Sequence, residues 1–489
     1  MNYYSTRNAK ETYSASQAIA MGLAPDGGLF VPETIPAVST EELRALCAMD
    51  YRGRAVNIMQ RYLADFSAEE LADFVSHAYA ENYDHPAIAP LRFTDDATAY
   101  LELWHGPTCA FKDMALQMLP YLLTASLKKS GEERQVCILV ATSGDTGKAA
   151  LEGFADVPGT RIFVFYPDGG VSRIQKLQMV TQSGENVGVC AVKGNFDDAQ
   201  TGVKRIFGDA AFAEELTKRG WFLSSANSIN WGRLLPQIVY YFSAYCDYVN
   251  SGKIAFGDRI NFCVPTGNFG NILAGWFAKQ MGLPVGRFLC ASNANNVLTD
   301  FIETGLYDKN RPFHMTISPS MDILVSSNLE RLLYMLCGDE RTADYMKQLS
   351  DGGSYAVGAE TLARIRGEFS AACCDDAETC AKIASVWNGS AYLIDTHTGV
   401  AAAALDKYRA ATGDATPTVI VSTASPFKFA ADVCGALGAD AGADPLAALS
   451  AYCSLPVPKP LSGLERRPVR FAEVAEKAEM PAAVDRFVR

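Results

Sequence analysis

Two hydrophobic periods divide the chain. Over residues 41–64 and 68–83 the apolar residues recur at three- and four-residue spacing, which predicts helices. Ahead of them, 24–36 (APDGGLFVPETIP) is rich in Pro and Gly and reads as an irregular surface loop or an arm over a cleft. From about residue 100 the pattern changes to short, continuous apolar runs. Residues 135–141 (QVCILVA), 161–167 (RIFVFYP) and 186–192 (NVGVCAV) predict buried strands separated by helices. An aromatic-rich helix follows at about 235–250, then strands at 259–264 and 286–290, a helical stretch at about 325–385, and a late strand at 418–421. Residues 388–398 and 454–465 read as loops. Alternation of strands and helices predicts an α/β fold with two open parallel sheets behind a mostly helical N-terminal region. At 489 residues the length prior is about three domains. The expected division is 1–95 for the N-terminal region and arm, 96–124 with 236–489 for a larger α/β domain, and 125–235 for a smaller one inserted in it.

Composition narrows the function classes. Hydrophobic residues make up 49% and charged residues 20%, so a disordered chain is excluded. The net charge of −12 provides no basic footprint for nucleic acid, and no apolar run reaches the length of a membrane span. The start, MNYYSTRNAK, has no signal-peptide character, and a cytoplasmic location is the expectation. The 13 cysteines contain no CxxC pair and stand with only five histidines, so free thiols in a reducing compartment are expected and no metal site.

Parallel sheets hold ligands beyond the carboxyl ends of their strands. The loop after 135–141 is Thr142, Ser143, Gly144, Asp145, Thr146 and Gly147, with hydroxyls, glycines and a helix start suited to a carboxylate. The loop after 259–264 runs through Gly267, Asn268, Phe269, Gly270 and Asn271. It is neither a Walker A loop nor a GxGxxG fingerprint, and a phosphate monoester suits it. The loop after 418–421 carries Ser422 and Thr423, which can each donate or accept a hydrogen bond. Lys112 lies in an apolar setting at a helix start, where desolvation and the helix dipole both disfavour the ammonium form. A lysine so placed can form a Schiff base or act as a base. Together these features describe a pyridoxal-phosphate enzyme acting on an amino acid.

The chain resembles the threonine synthase family, within the fold type II pyridoxal-phosphate enzymes. The likeness rests on Tyr3–Arg7, Ala24–Pro32, His105–Asp113, Ala141–Gly147, Asn227–Arg233, Gly267–Asn271 and Thr423, and runs nearly the length of the chain. The resemblance implies that Lys112 carries the cofactor, that Gly267–Asn271 bind its phosphate, and that Thr423 faces its ring nitrogen. It implies that Thr142–Thr146, Asn230 and Arg233 meet the substrate. The implied reaction turns O-phospho-L-homoserine and water into L-threonine and phosphate by γ-elimination and β-addition of water. The alternative is another type II enzyme, such as a serine/threonine dehydratase or a β-replacing synthase. The substrate's own phosphate needs cations or hydroxyls, with Arg233 ranked ahead of Lys148, Arg173, Thr108 and Arg7. His105 is expected to orient the lysine loop, and His397 to be a loop histidine. Ser425, Phe427 and Cys109 depart from the family pattern, and Cys109 puts a thiol three residues from Lys112. Monomer and homodimer both stay open.

Overall fold

The computed structural model describes residues 1–489, apart from the side chain of Asp197. The larger sheet has six strands, in the order Phe369–Cys373, Val285–Ser292, Ile260–Pro265, Thr418–Ser422, Thr98–Glu102 and Leu91–Phe93. Every neighbouring pair is parallel except the last. The second sheet has five parallel strands, in the order Val474–Ala475, Val187–Val192, Thr160–Pro167, Gln135–Ala141 and Trp221–Ser225. Its central strands are buried along almost their whole length, as continuous apolar runs require when helices cover both faces.

The N-terminal region differs from its sequence reading in one respect. Residues 30–32 are a strand and not part of a loop: Phe30–Pro32 pairs antiparallel with Tyr3–Ser5, which pairs in turn with Asn8–Tyr13. All three residues of Phe30–Pro32 are buried. The stretch 41–64 is two helices, because Asp50 caps a new helix by accepting from the Gly53 N–H.

Two further strands lie where the sequence reads otherwise. Phe369–Cys373, inside the stretch read as helical, forms an edge of the larger sheet. The end of the chain, placed by the sequence with the larger domain, returns to the smaller sheet. Val474–Ala475 pairs there with Ala191 and Val192, and Met480, Ala483, Val484 and Val488 pack against Phe163, Phe165 and Val203. Among the described residues, no helix is long and apolar enough to cross a membrane.

Candidate active site

The carboxyl ends of both sheets converge on Lys112. Its loop is stitched to the late strand end by an Ala110–Ala424 bridge, by Phe111 N–H donating to the Thr423 carbonyl (2.7 Å), and by Ser425 N–H donating to the Cys109 carbonyl (3.0 Å). Backbone pairing between segments some 310 residues apart therefore sets Lys112 beside Thr423. Cys109 makes the turn in the left-handed region, with φ of 59°. Its thiol is buried, and burial pushes it up to about 12, so it is a poor nucleophile despite its position.

Lys112 is 9% exposed. Its Nζ donates to Ser320 Oγ at 3.2 Å and lies 3.8 Å from Asp145 Oδ2. Burial lowers its amine to about 8 against the pull of Asp145, and the charges of Lys428 and Arg233 lower it further. Asp145 belongs to the first turn of the helix Asp145–Phe154. Burial alone would raise its carboxyl, but Lys428 (2.8 Å to Oδ1) and Lys112 hold it below the usual carboxylate range. Gln175 also donates to Asp145 at 2.9 Å, and Lys428 donates to the Thr108 carbonyl at 2.8 Å.

The loop that contains Asp145 is braced from within. Thr142 Oγ1 accepts from the Gly144 and Gly147 N–H groups at 3.0 and 2.8 Å. Gly144 has φ of 133°, and a Cβ there would stand 2.4 Å from Gln175. No side chain caps the helix at Gly144, and Ser143 and Thr146 are half-buried beside it, so the helix start is open to an anion. The Asp145 carboxylate is committed to cations and takes no part in holding one.

The second glycine loop joins the end of strand Ile260–Pro265 to a helix start. Phe269 adopts φ of 62° just before the helix Gly270–Gln280, whose start again has no side-chain cap. A Cβ at Gly267 would stand 2.6 Å from the Ser320 carbonyl oxygen, so only glycine fits there. Asn268 is exposed, and its carbonyl accepts from Asn328. The Asn271 amide folds back onto the Pro265 carbonyl at 2.8 Å.

Arg233 is 3% exposed and donates once, to the Ala226 carbonyl at 2.7 Å, while its Nε has no partner. Among the described residues it has no carboxylate partner. Burial lowers it to about 10.

Other candidates are occupied elsewhere. Asn230 is a structural residue: its amide donates to the Ile19 carbonyl (3.0 Å) and accepts from Gly232 N–H (2.8 Å). Arg7 is clamped on Glu330 by two bonds of 2.8 and 2.9 Å. Arg173 lies at the surface on Glu465, Lys148 pairs with Glu152, and the Thr108 hydroxyl donates to Asp113. His105 lies between Asp84 (2.6 Å) and Glu102 (2.9 Å). Burial opposes its charge, but the two carboxylates win and raise it to about 9. A histidine raised on folding adds stability that is complete below its unfolded value and lost as pH climbs through the folded one. Denaturation in urea at pH 6 and pH 9.5 is therefore expected to show about 2 kcal/mol more loss in the native chain than in His105→Gln.

Sequence reasoning missed Lys428, Ser320 and Gln175. Only Lys428 carried a signal, a lysine set in the apolar run SPFKFAA.

The chemistry of these residues fits one cofactor. A buried, depressed lysine amine, an uncapped glycine loop that excludes a Cβ, and the buried Thr423 beside the lysine suit a phosphorylated pyridine aldehyde. Fold and site define a pyridoxal-phosphate dependent enzyme, and residues 97–424 match the model of the family described as pyridoxal-phosphate dependent enzyme. Residues 2–79 match the threonine synthase N terminus and 398–488 the threonine synthase C-terminal region. The chain belongs to the threonine synthase family. It is 40% identical to threonine synthase of Pseudomonas aeruginosa, over 88% of this chain and 89% of that protein. It is 43% identical to threonine synthase-like 1 of Homo sapiens, covering 86% of this chain, and spans only 58% of that relative's length. The crystal structure of PLP-bound threonine synthase from Brucella melitensis superposes with a TM-score of 0.89 at 36% identity, covering 100% of both chains.

Proposed function

We propose that the protein converts O-phospho-L-homoserine and water into L-threonine and inorganic phosphate. Arg233 carries the reading. One phosphate cradle serves the cofactor, so a buried arginine with no carboxylate partner calls for a substrate that brings its own phosphate. The relatives' names support the same reaction.

In this reading Gly267, Asn268, Phe269, Gly270 and Asn271 hold the cofactor phosphate, the Thr423 hydroxyl meets the ring nitrogen, and Lys112 is the point of attachment. When bound, pyridoxal 5'-phosphate supplies an electron sink for charge developing beside the substrate's α carbon. Ser143, Thr146 and the open helix start hold the α-carboxylate, in a loop fixed by Thr142 and Gly144. Lys112, with its amine near neutrality, takes the α proton and returns it. Arg233 holds the phosphate as it departs from the γ carbon. The thirteen cysteines, all free, support a cytoplasmic location as part of this reading.

Purified protein given O-phospho-L-homoserine is expected to release threonine and phosphate in equal amounts. Arg233→Ala is expected to raise KM about tenfold or more, because the substrate phosphate loses its fork of donors. A cofactor-bearing protein that forms no threonine would be a dehydratase or a β-replacing synthase instead. An unchanged KM in Arg233→Ala would move the phosphate elsewhere.

A further inference from the structure

We propose that the Ser320 hydroxyl is a further catalytic group, the direct partner of the Lys112 amine, and that His397 and Asp395 are the residues that position it. The inference rests on Lys112 being the reactive amine.

Ser320 sits in the short turn Pro319–Met321 and meets the site on three sides. Its Oγ accepts from Lys112 Nζ at 3.2 Å. Its carbonyl oxygen fills the space a Cβ on Gly267 would need. Its backbone N–H donates to His397 Nε2 at 3.1 Å. The other ring nitrogen of His397, Nδ1, lies 2.8 Å from Asp395 Oδ2. An Nε2 that accepts from an amide carries no proton, so the geometry assigns His397 the neutral form with hydrogen on Nδ1, donating to Asp395.

Asp395 is itself fixed. It caps the helix Thr396–Thr412, accepting from the His397 and Thr398 amides at 2.9 and 3.0 Å and from the Thr398 hydroxyl. That hydroxyl lies 3.1 Å from Ser422 Oγ, one residue from Thr423. His397 and Asp395 are 2% and 0% exposed. The trio is not a hydrolytic triad, because the imidazole faces the serine amide and not its hydroxyl.

The consequence for Lys112 is chemical. Its amine has two polar neighbours, Ser320 Oγ at 3.2 Å and Asp145 Oδ2 at 3.8 Å. A hydroxyl can accept from an ammonium and donate to a neutral amine, so it serves both protonation states. A carboxylate stabilises the ammonium alone. Ser320 therefore holds the amine off Asp145 and keeps it usable as a base. Four charges face the amine: Asp113 beside it in sequence, Asp145 from its helix, Lys428 from the turn Pro426–Phe429, and Arg233 from the helix Trp231–Asn250. Losing the hydroxyl tips this balance toward Asp145.

Competitive acetylation of the cofactor-free full-length chain, read by mass spectrometry at Lys112 across about pH 6–10, follows the amine without any catalytic assay. Ser320→Ala is expected to move the midpoint up by about one pH unit, a tenfold shift in proton affinity. Ser320→Thr keeps the hydroxyl and is expected to restore it. His397→Leu is expected to move toward the alanine variant, and His397→Gln, which can both donate and accept, to stay near the native value. In the loaded enzyme Ser320→Ala is expected to lower kcat about tenfold at neutral pH with KM unchanged. Circular dichroism checks that each variant is folded. A midpoint and kcat unchanged in folded Ser320→Ala would overturn the proposal, as would a midpoint unchanged in folded His397→Leu. Failure of the threonine reaction in the native protein would be seen separately, and the titration of Lys112 would still be readable.

Discussion

Lys112→Ala is expected to lose turnover by about 10³-fold or more while keeping its fold. The loss is large because one amine serves both as the attachment point and as the base, and proton transfer alone contributes about 10²–10⁴-fold. No neighbour can replace it. Two other amines are buried, and both are held elsewhere: Lys428 donates to Asp145 and to the Thr108 carbonyl, and Lys148 to Glu152 and Gln182. The fold survives because the substitution removes a desolvated group and leaves Asp145 its stronger cation. Threonine formation in single turnover, with a thermal melt on the same sample, measures both halves. A folded variant retaining a tenth of native turnover would place the proton transfer on another residue.

Lys428→Met should lose stability as well as activity. The Lys428 side chain is wholly buried, and its partner Asp145 is 3% exposed. Removing the cation strands a buried carboxylate with Gln175 and the more distant Lys112, and breaking such a pair costs about 3–5 kcal/mol. Asp145 would then draw the Lys112 amine toward the ammonium form, and turnover near pH 7 should fall about tenfold or more. The double variant Lys428→Met, Asp145→Asn removes both charges and should recover more than half of the lost stability in urea. A single variant as stable as the native chain would mean that water reaches Asp145 and screens it.

What could be read in the sequence follows from how local the cause was. Gln135–Ala141, Thr160–Pro167 and Val187–Val192 were legible because strands buried on both faces are continuous apolar runs. The loops after Gln135–Ala141 and Ile260–Pro265 followed from the rule that parallel sheets hold ligands at strand ends, and Lys112 stood out as a lysine among apolar residues. Phe369–Cys373 was not legible. Its five residues, FSAAC, carry little β preference, and it is a strand only because Val285–Ser292 offers an open edge. Residues 30–32 have β-favouring Phe30 and Val31 but sit in a Pro- and Gly-rich stretch, and they are a strand because Tyr3–Ser5 lies against them. The site shows the same limit. Ser320 lies 208 residues from Lys112, His397 lies 77 from Ser320, and Lys428 lies 320 from Thr108. No period or motif links groups so far apart. Asn230 and Arg7 were over-read because residue type announces what a side chain can bind, and folding had already supplied Ile19 and Glu330 as partners.

The return of the last residues to the smaller sheet has a bearing on how the chain is made. Synthesis runs from the N terminus, so Val187–Val192 leaves the ribosome almost 290 residues before Val474–Ala475 can lie against it. Through that interval one edge of the sheet is open, and the apolar surface of Phe163, Phe165 and Val203 lacks the helix Met480–Val488. An open edge beside an apolar face is the form in which nascent chains pair with one another. This lobe is therefore completed only once Met480–Val488 has been made, long after its central strands, and until then its edge and apolar face stay open to other chains.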